Sequence, residues 1–380
     1  MPLFRENVLD KLYSKLYHII RRICIITRCC VLKKYEIVAD SISEEIRTGH
    51  YPDGALLPTE EQLTEKYGVS RQTIRKALSV LQEKGIIEKR QGSGSFVKIL
   101  NPGAGSRKVA VITTYIDDYI FPGQLRGVEE VLSKNNYSAF ISATRNRICN
   151  ERRILEGILK NPVAGILVEG TKTALPNPNI GLYKKLFELN IPIVFFNSRY
   201  PGLTGPLYIC ADNYNGGYEL TTYLLNKGHK KIASIFKADD IQGHERYSGY
   251  ISAMFDNKLY VSDGMTIWYT TETKESIFDE PEKILSALGD ATAVVCYNDE
   301  IAFNLIKFLT AHGKRVPEDI AVVSFDNSNL SEISAIKITS LSYDNKNIGA
   351  IAAKKLVDIL SGRKASSETI PWKLAEKESS

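Results

Sequence analysis

Two sets of residues in this chain have the types and spacing to recognise another molecule. Arg71 and Arg75 lie four apart with Gln72 and Thr73 between them, so on a helix both arginines share a face near its N-terminus. A guanidinium there fits the O6 and N7 edge of guanine, or clamps a phosphate. Further on, Gln91 and the bare backbone of Gly92 sit at the tip of a predicted hairpin, within reach of a minor groove or a phosphate. The second set follows apolar runs: Tyr115, Asp117 and Asp118 with Phe121; Glu169 and Lys172; Asn197; Lys237, Asp239, His244 and Arg246; Asn298 and Asp299; and Asp326. Carboxylates only accept, arginine only donates and amides do both, which together saturate sugar hydroxyls, while an aromatic face covers the C–H patches. Each set has a plainer interpretation, as solvated helix charges or as helix caps and turn formers. Clustering inside one constellation, and recurrence at one edge of a sheet, favour binding.

The elements that must hold the first set are short and sharply punctuated. Thr59 caps a helix, and Gln62 completes a capping box. That helix runs to about Tyr67, where Gly68 supplies a left-handed stop. Ser70 caps the next helix almost at once, giving a helix-turn-helix. Ile74, Ala77, Leu78 and Leu81 form its inward stripe. The segments IIEKR and SFVKI are then expected as two strands joined by QGSG, a small wing.

Residues 98–107, KILNPGAGSR, have the composition of a linker. Beyond it, apolar runs recur at 109–115, 138–143, 164–170, 191–197, 231–237, 291–298 and 320–327. Helical stretches such as 124–136, 214–228, 244–257 and 299–313 separate most of them. That alternation predicts a doubly wound parallel sheet. The length is more than one such sheet needs, so two lobes are expected, with ligand beyond the carboxyl ends of the strands.

The net charge is +5, yet it does not mark a basic head. Residues 1–30 carry six basic and two acidic residues, and residues 31–100 carry eleven and ten. Contact with nucleic acid therefore depends on local placement of charge. The six cysteines include no CxxC pair and only five histidines accompany them, so neither a metal site nor a cofactor is expected; free thiols in a reducing cytoplasm are. Residues 1–32 form an apolar and basic extension, broken by Arg21, Arg22 and Arg28 before it could span a bilayer. It also lacks the form of a signal peptide, so no membrane role is expected. It suits an amphipathic surface helix, but the preferred expectation is that translation begins near Val31. No GxGxxG opens a helix after a strand, and neither GxxxxGK[ST] nor GxSxG occurs, so an enzyme is not expected.

The stretch 57–97, with its LPTEE, GVSR and QGSGSFV segments, resembles the winged helix-turn-helix of the GntR family. That resemblance implies DNA contacts from Lys34, Arg71, Gln72, Thr73, Arg75, Gln91 and Gly92. The remainder, with GHERYSGY, VCYNDEIA and VPEDIAVVSFDNS, resembles the LacI/GalR-type effector domain, itself similar to periplasmic sugar-binding proteins. It implies sugar contacts from Arg246, Asn298 and Asp326, with Asp299 following them. The ending ETIPWKLAEKESS departs from the arginine-serine ending of such bodies, which bears on the last strand and not on the sugar site. The expected fold is therefore α/β: a winged helix-turn-helix domain at 33–98, with the helix-turn-helix itself at about 60–79. A linker at 99–107 leads to a two-lobed, periplasmic-binding-protein-like domain of parallel doubly wound sheets at 108–380. The expected function is a cytoplasmic homodimeric repressor that binds operator DNA and is released by a pentose, L-arabinose first. Sugar would close the lobes, the linker would order against the body in one state, and DNA would weaken sugar binding by the same factor. Alternatives are another sugar or a sugar phosphate, which Lys172, Lys237 and Arg199 leave open, and a sugar-binding protein without a regulatory role.

Overall fold

Side-chain caps set the N-terminal helices. In the computed structural model, α1 (Lys34–Arg47), α2 (Glu60–Tyr67) and α3 (Arg71–Glu83) are followed by the antiparallel pair β1 (Ile87–Arg90) and β2 (Gly94–Val97). The Thr59 hydroxyl accepts from the Gln62 backbone at 3.3 Å, and the Gln62 side chain accepts from the Thr59 amide at 2.9 Å. Gly68 ends α2 at φ 61°, a left-handed value that glycine takes without strain. Ser70 accepts from the Thr73 amide at 3.2 Å and starts α3. Val38, Ile42 and Ile46 of α1, Leu63 of α2, the Ile74–Leu81 stripe of α3, and Ile87 and Val97 of the hairpin close one core.

The structure describes residues 33–47, 50–90, 93–98, 103, 105–117, 119–343 and 347–380. They fall into two units, Met1–Leu100 and Asn101–Ser380. The 1–32 extension, Gln91, Gly92, Asp118 and residues 99–102 and 104 of the linker lie outside the described residues.

The larger unit holds two six-stranded sheets. Lobe 1 contains β3 (Lys108–Thr113), β4 (Ser138–Ala143), β5 (Gly165–Val168), β6 (Ile193–Phe196), β7 (Leu207–Ala211) and β13 (Glu368–Ile370), all parallel, in the order β13-β7-β6-β5-β3-β4. Its connecting helices are α4 (Phe121–Lys134), α5 (Ile148–Lys160), α6 (Ile180–Glu188) and, from far along the chain, α12 (Ile348–Leu360). Apolar residues of α4 and α12 cover one face of the sheet and those of α5 and α6 the other.

Lobe 2 contains β8 (Ile232–Lys237), β9 (Thr266–Tyr269), β10 (Ala293–Cys296), β11 (Ala321–Phe325), β12 (Thr339–Ser342) and β14 (Lys373–Ala375). Their order is β14-β12-β11-β10-β8-β9, parallel except for β14. Its helices are α7 (Asn213–Asn226), α8 (Ile241–Asp256), α9 (Pro281–Leu288), α10 (Asp299–Ala311) and the short α11 (Asn329–Ile333). The unusual C-terminal sequence still forms strands, and it gives one to each lobe. Ser379 then fixes the end by donating to Val322 O at 2.5 Å.

The chain crosses between lobes three times: after β7, between β12 and α12, and between β13 and β14. In each sheet the strand order reverses beside the first strand, at β3/β5 and at β8/β10, which opens a crevice at the carboxyl ends. Helix packing brings α8 to that crevice. A Cβ on Gly217 of α7 would lie 2.1 Å from Arg246 O, and one on Gly249 would lie 2.0 Å from Tyr214 O. Only glycine allows α7 and α8 so close, and the contact sets the backbone that carries Arg246.

Candidate functional site

A cleft of about 800 Å³ lies between the lobes where the two crevices face each other. Tyr115, Phe121, Glu169, Asn197, Arg246, Asn298 and Asp326 line it, as does Lys237. Residues the sequence analysis did not single out also line it, among them Thr114, Tyr119, Asp240, Gln242, Tyr269, Thr271, Lys274, Tyr297, Glu300 and Tyr343.

Arg246 anchors the lobe 2 wall. Its Nε donates to Asn213 Oδ1 at 3.0 Å, Nη1 donates to the Tyr297 carbonyl, and Nη2 lies 3.5 Å from Asp326 Oδ1. The rings of Phe325 and Tyr297 flank the guanidinium at 4.2 and 4.8 Å. Burial opposes its charge, but Asp326 and the surrounding phenols outweigh that and hold it above its ordinary range. Asp326 also accepts from Tyr119 at 2.6 Å and from Tyr343 at 3.2 Å. Burial, with Asp326 adding to it, pushes both phenols well above 10, so they stay protonated donors. Tyr119 comes from lobe 1, so this bond spans the cleft.

On the lobe 1 wall, Glu169 accepts from the Thr114 amide at 2.9 Å, the Thr114 hydroxyl at 2.5 Å and the Asn197 amide at 3.1 Å. Burial raises its pKa despite those donors. Asn197 spends its amide on Glu169 and on Gln124 at 2.7 Å, leaving its Oδ1 buried without a partner. Across the cleft, Asp240 accepts from Lys237 at 2.5 Å, and its other oxygen is likewise buried and unpaired. Two orphaned acceptors in one polar cleft call for hydroxyl donors from a ligand. Tyr119, Asn197 and Asp326 all hold positive φ, of 57°, 59° and 93°. Such conformations cost of order 1–3 kcal/mol each and persist where binding geometry matters.

Four expected sugar contacts stand elsewhere. Asp117 is exposed and does not line the cleft. His244 points outward, with Nε2 donating to Ala238 O at 2.8 Å and its ring 5.2 Å from that of Trp268. Asp299 lies beneath the floor, accepting from Ser324, from Ser340 at 2.7 Å and from the Ser328 amide at 2.5 Å. Burial, with Asp326 adding to it, raises its pKa to about 6. Lys172 sits at the rim, 2.6 Å from Glu272 and 3.3 Å from Asp239. Asn298 has two roles: its Oδ1 caps α10 by accepting from the Ile301 amide at 3.1 Å, while the residue also lines the cleft.

In the head, Lys34 opens α1, and Arg71, Gln72 and Arg75 are exposed on α3. Arg71 lies 2.9 Å from Glu61 and Arg75 lies 2.7 Å from Glu60, so the carboxylates of α2 hold both guanidinia beside the helix N-terminus. Thr73 is half-buried, its hydroxyl 2.9 Å from that of Ser70.

Residues 34–97 match the family described as bacterial regulatory proteins, gntR family, and residues 221–380 match the periplasmic binding protein-like domain. The body shares its fold with the transcription regulator GntR from Chromobacterium violaceum, at 21% identity and a TM-score of 0.64, covering 72% of this chain and 98% of that one. The fold and its two sites thus define a transcriptional repressor of the sugar-sensing type, with a DNA-binding head and an effector-binding body; it is not an enzyme. The arabinose metabolism transcriptional repressor of Halalkalibacterium halodurans is 38% identical over 81% of this chain and 84% of its own length. That of Geobacillus stearothermophilus is 35% identical over 82% and 86%. The chain belongs to the family of arabinose metabolism transcriptional repressors.

Proposed function

We infer that the cleft binds a neutral pentose, L-arabinose first, and that binding releases a homodimer from a pseudopalindromic operator. One observation carries the effector class. Among the described residues, each lining cation already has a carboxylate: Lys237 with Asp240, Arg246 with Asp326, and Lys274 with Glu300 at 2.7 Å. Glu169 adds a further acid. A sugar phosphate entering here would meet acids and, among the described residues, no free cation, whereas neutral hydroxyls would satisfy the orphaned oxygens of Asn197 and Asp240. The names of the two relatives support arabinose among such sugars. Tyr115, Phe121, Glu169, Asn197, Arg246, Asn298 and Asp326 are the contacts we assign. Lys34, Arg71, Gln72, Thr73, Arg75, Gln91 and Gly92 are those we assign to DNA.

Two edge strands support the dimer. Phe140 and Ile141 of β4 are exposed, as are Trp268 of β9 and the nearby Phe255 and Tyr260, the last two at 77% and 86%. Exposed apolar clusters of this kind mark protein interfaces. Two heads on a two-fold axis then read two half-sites, in the cytoplasm where the operator is.

A thermal-shift screen of the full chain against L-arabinose, other pentoses, hexoses and their phosphates tests the effector. Ligand at a hundred times its Kd adds roughly 2.7 kcal/mol. We expect a shift with L-arabinose and none with a phosphate. A shift with phosphates alone would overturn the assignment.

A further inference from the structure

Lys172 occupies a place that neither the sugar-binding nor the DNA-binding role explains. It follows β5 in lobe 1, at φ 46°, and its side chain leaves the cleft to reach lobe 2. There the ammonium lies 2.6 and 2.8 Å from the two oxygens of Glu272 and 3.3 Å from Asp239. Asp239 is buried, and it accepts from the Thr271 amide at 3.0 Å and its hydroxyl at 2.7 Å. Its charge is therefore fixed, with Lys172 as the lobe 1 cation that meets it.

The segment carrying Lys172 is itself pinned at both ends. On the lobe 1 side it is tied to a buried carboxylate that has no ion pair among the described residues. Glu151 accepts from Tyr183 at 2.7 Å, Tyr200 at 2.5 Å, and Asn177 and Asn179 at 2.8 Å each. Tyr200 in turn accepts from the Thr171 amide at 2.8 Å. On the lobe 2 side, the Ile241 amide donates to Thr173 Oγ1 at 3.0 Å, and the Ala174 amide donates to the Asp239 carbonyl at 3.3 Å. Asn146 also donates across the gap, to Thr271 at 2.6 Å. The bonds that cross between the lobes lie outside the cavity lining except for Thr271.

We propose that residues 171–174 form a clasp between the lobes, with Lys172 as its ionic bolt and a positioning residue for the effector site. The bolt exists only when the lobes are together, so it favours the closed state alone. Binding to a fractionally closed population is weakened by that fraction, so loosening the clasp lowers effector affinity without removing any contact to the effector. The clasp thereby sets how much sugar is needed for induction. The affinity part of this inference rests on the effector assignment above; the clasp itself does not.

The test uses the full chain and four variants: Lys172→Met, Glu272→Gln, the two combined, and Lys172→Arg. The first readout needs no sugar: hydrogen–deuterium exchange of peptides containing Ala174 and Ile241, whose amides donate across the lobes. The second is the Kd for L-arabinose. Both single variants should exchange faster and bind about tenfold more weakly. The combination should be no worse than Lys172→Met, and Lys172→Arg should restore both readouts. Weakened binding in Lys172→Met with unchanged exchange, and a silent Glu272→Gln, would overturn the clasp and return Lys172 to the sugar. Unchanged behaviour of every variant would overturn it too. If the wild-type chain binds no sugar, the effector assignment fails while the exchange readout still decides the clasp.

Discussion

Replacing Arg246 by Ala separates the sugar site from the DNA-binding head, provided that the stability cost is handled. The guanidinium is buried, and it is the cation that Asp326 faces at 3.5 Å. Truncation leaves a largely buried carboxylate that, among the described residues, keeps Tyr119 and Tyr343 as side-chain donors. Breaking one side of a buried ion pair costs about 3–5 kcal/mol. Against a typical domain stability of about 5–15 kcal/mol, that is a large fraction of what holds the body folded. Loss of sugar binding in Arg246→Ala alone would therefore not distinguish a missing contact from a loosened lobe. Adding Asp326→Asn removes the stranded charge and keeps its shape, so the double variant should recover most of the lost stability. It should not recover sugar affinity, because the Arg246 donor is gone and one of the two carboxylate acceptors has become an NH2 donor. Urea melts report stability, titration calorimetry reports sugar affinity, and fluorescence anisotropy at fixed salt reports operator binding. The expected pattern is operator binding near wild type in both variants, stability restored in the double, and sugar response absent in both. Near-wild-type sugar affinity in the double variant would refute the reasoning, since the pair would then only support the wall. Loss of operator binding in a double variant of normal stability would refute the division of labour between head and body.

Thr59→Ala should remove half of the capping box and cost about 1 kcal/mol, read as a lower urea midpoint for the head. Arg71→Ala and Arg75→Ala should each weaken operator binding by about 1–3 kcal/mol while sugar affinity stays constant, as measured by anisotropy and calorimetry on the same preparations. Asp299 gives a pH signature. Its folded pKa of about 6 stands above its ordinary 3.8, so its protonated form is favoured in the folded state. Stability from this group is highest below about pH 4, falls as the pH rises towards 6, and is level above that, by up to about 3 kcal/mol. Asp299→Asn should lack that slope in urea melts between pH 4 and 7; a variant with an identical slope would show that Asp299 titrates at its ordinary value.

Local chemistry made the head legible. A capping box, a left-handed glycine and a second cap are each decided within a few residues of chain, and Thr59, Gly68 and Ser70 act as expected. The buried strands were legible for a similar reason: β5, β6, β10 and β11 are apolar throughout because both faces are covered. Of the strands that were not singled out, β7 and β9 are half-buried, β12 is buried but mostly Ser and Thr, and β13 and β14 have three residues each. One of them, β13, pairs with β7, far back in the sequence, while β14 pairs with β12. No local pattern announces a three-residue strand whose partner is more than a hundred residues away.

The cleft shows where sequence reading stops, because a strand end fixes a neighbourhood but not a direction. Asn298 and Asp299 are adjacent, yet the first lines the cleft and the second holds three donors beneath its floor. Asp239 and Asp240 divide in the same way, one facing the rim with Lys172 and the other facing the cavity with Lys237. The tyrosines were missed for a different reason. Tyr119 and Tyr343 lie more than two hundred residues apart in the chain, and they meet on the two oxygens of Asp326 only because three crossings fold both lobes onto one cleft. Tyr297 could have been found, since it directly precedes Asn298 in a segment already marked as a strand end. The meeting of the lobes is thus what brings scattered polar residues into one cleft, and the rim bonds of Lys172 join the same two lobes. On the proposed assignments, effector contacts and the lobe clasp fall on neighbouring residues of the same strand ends. Substitutions one position apart should therefore separate into those that abolish sugar binding and those that shift its threshold.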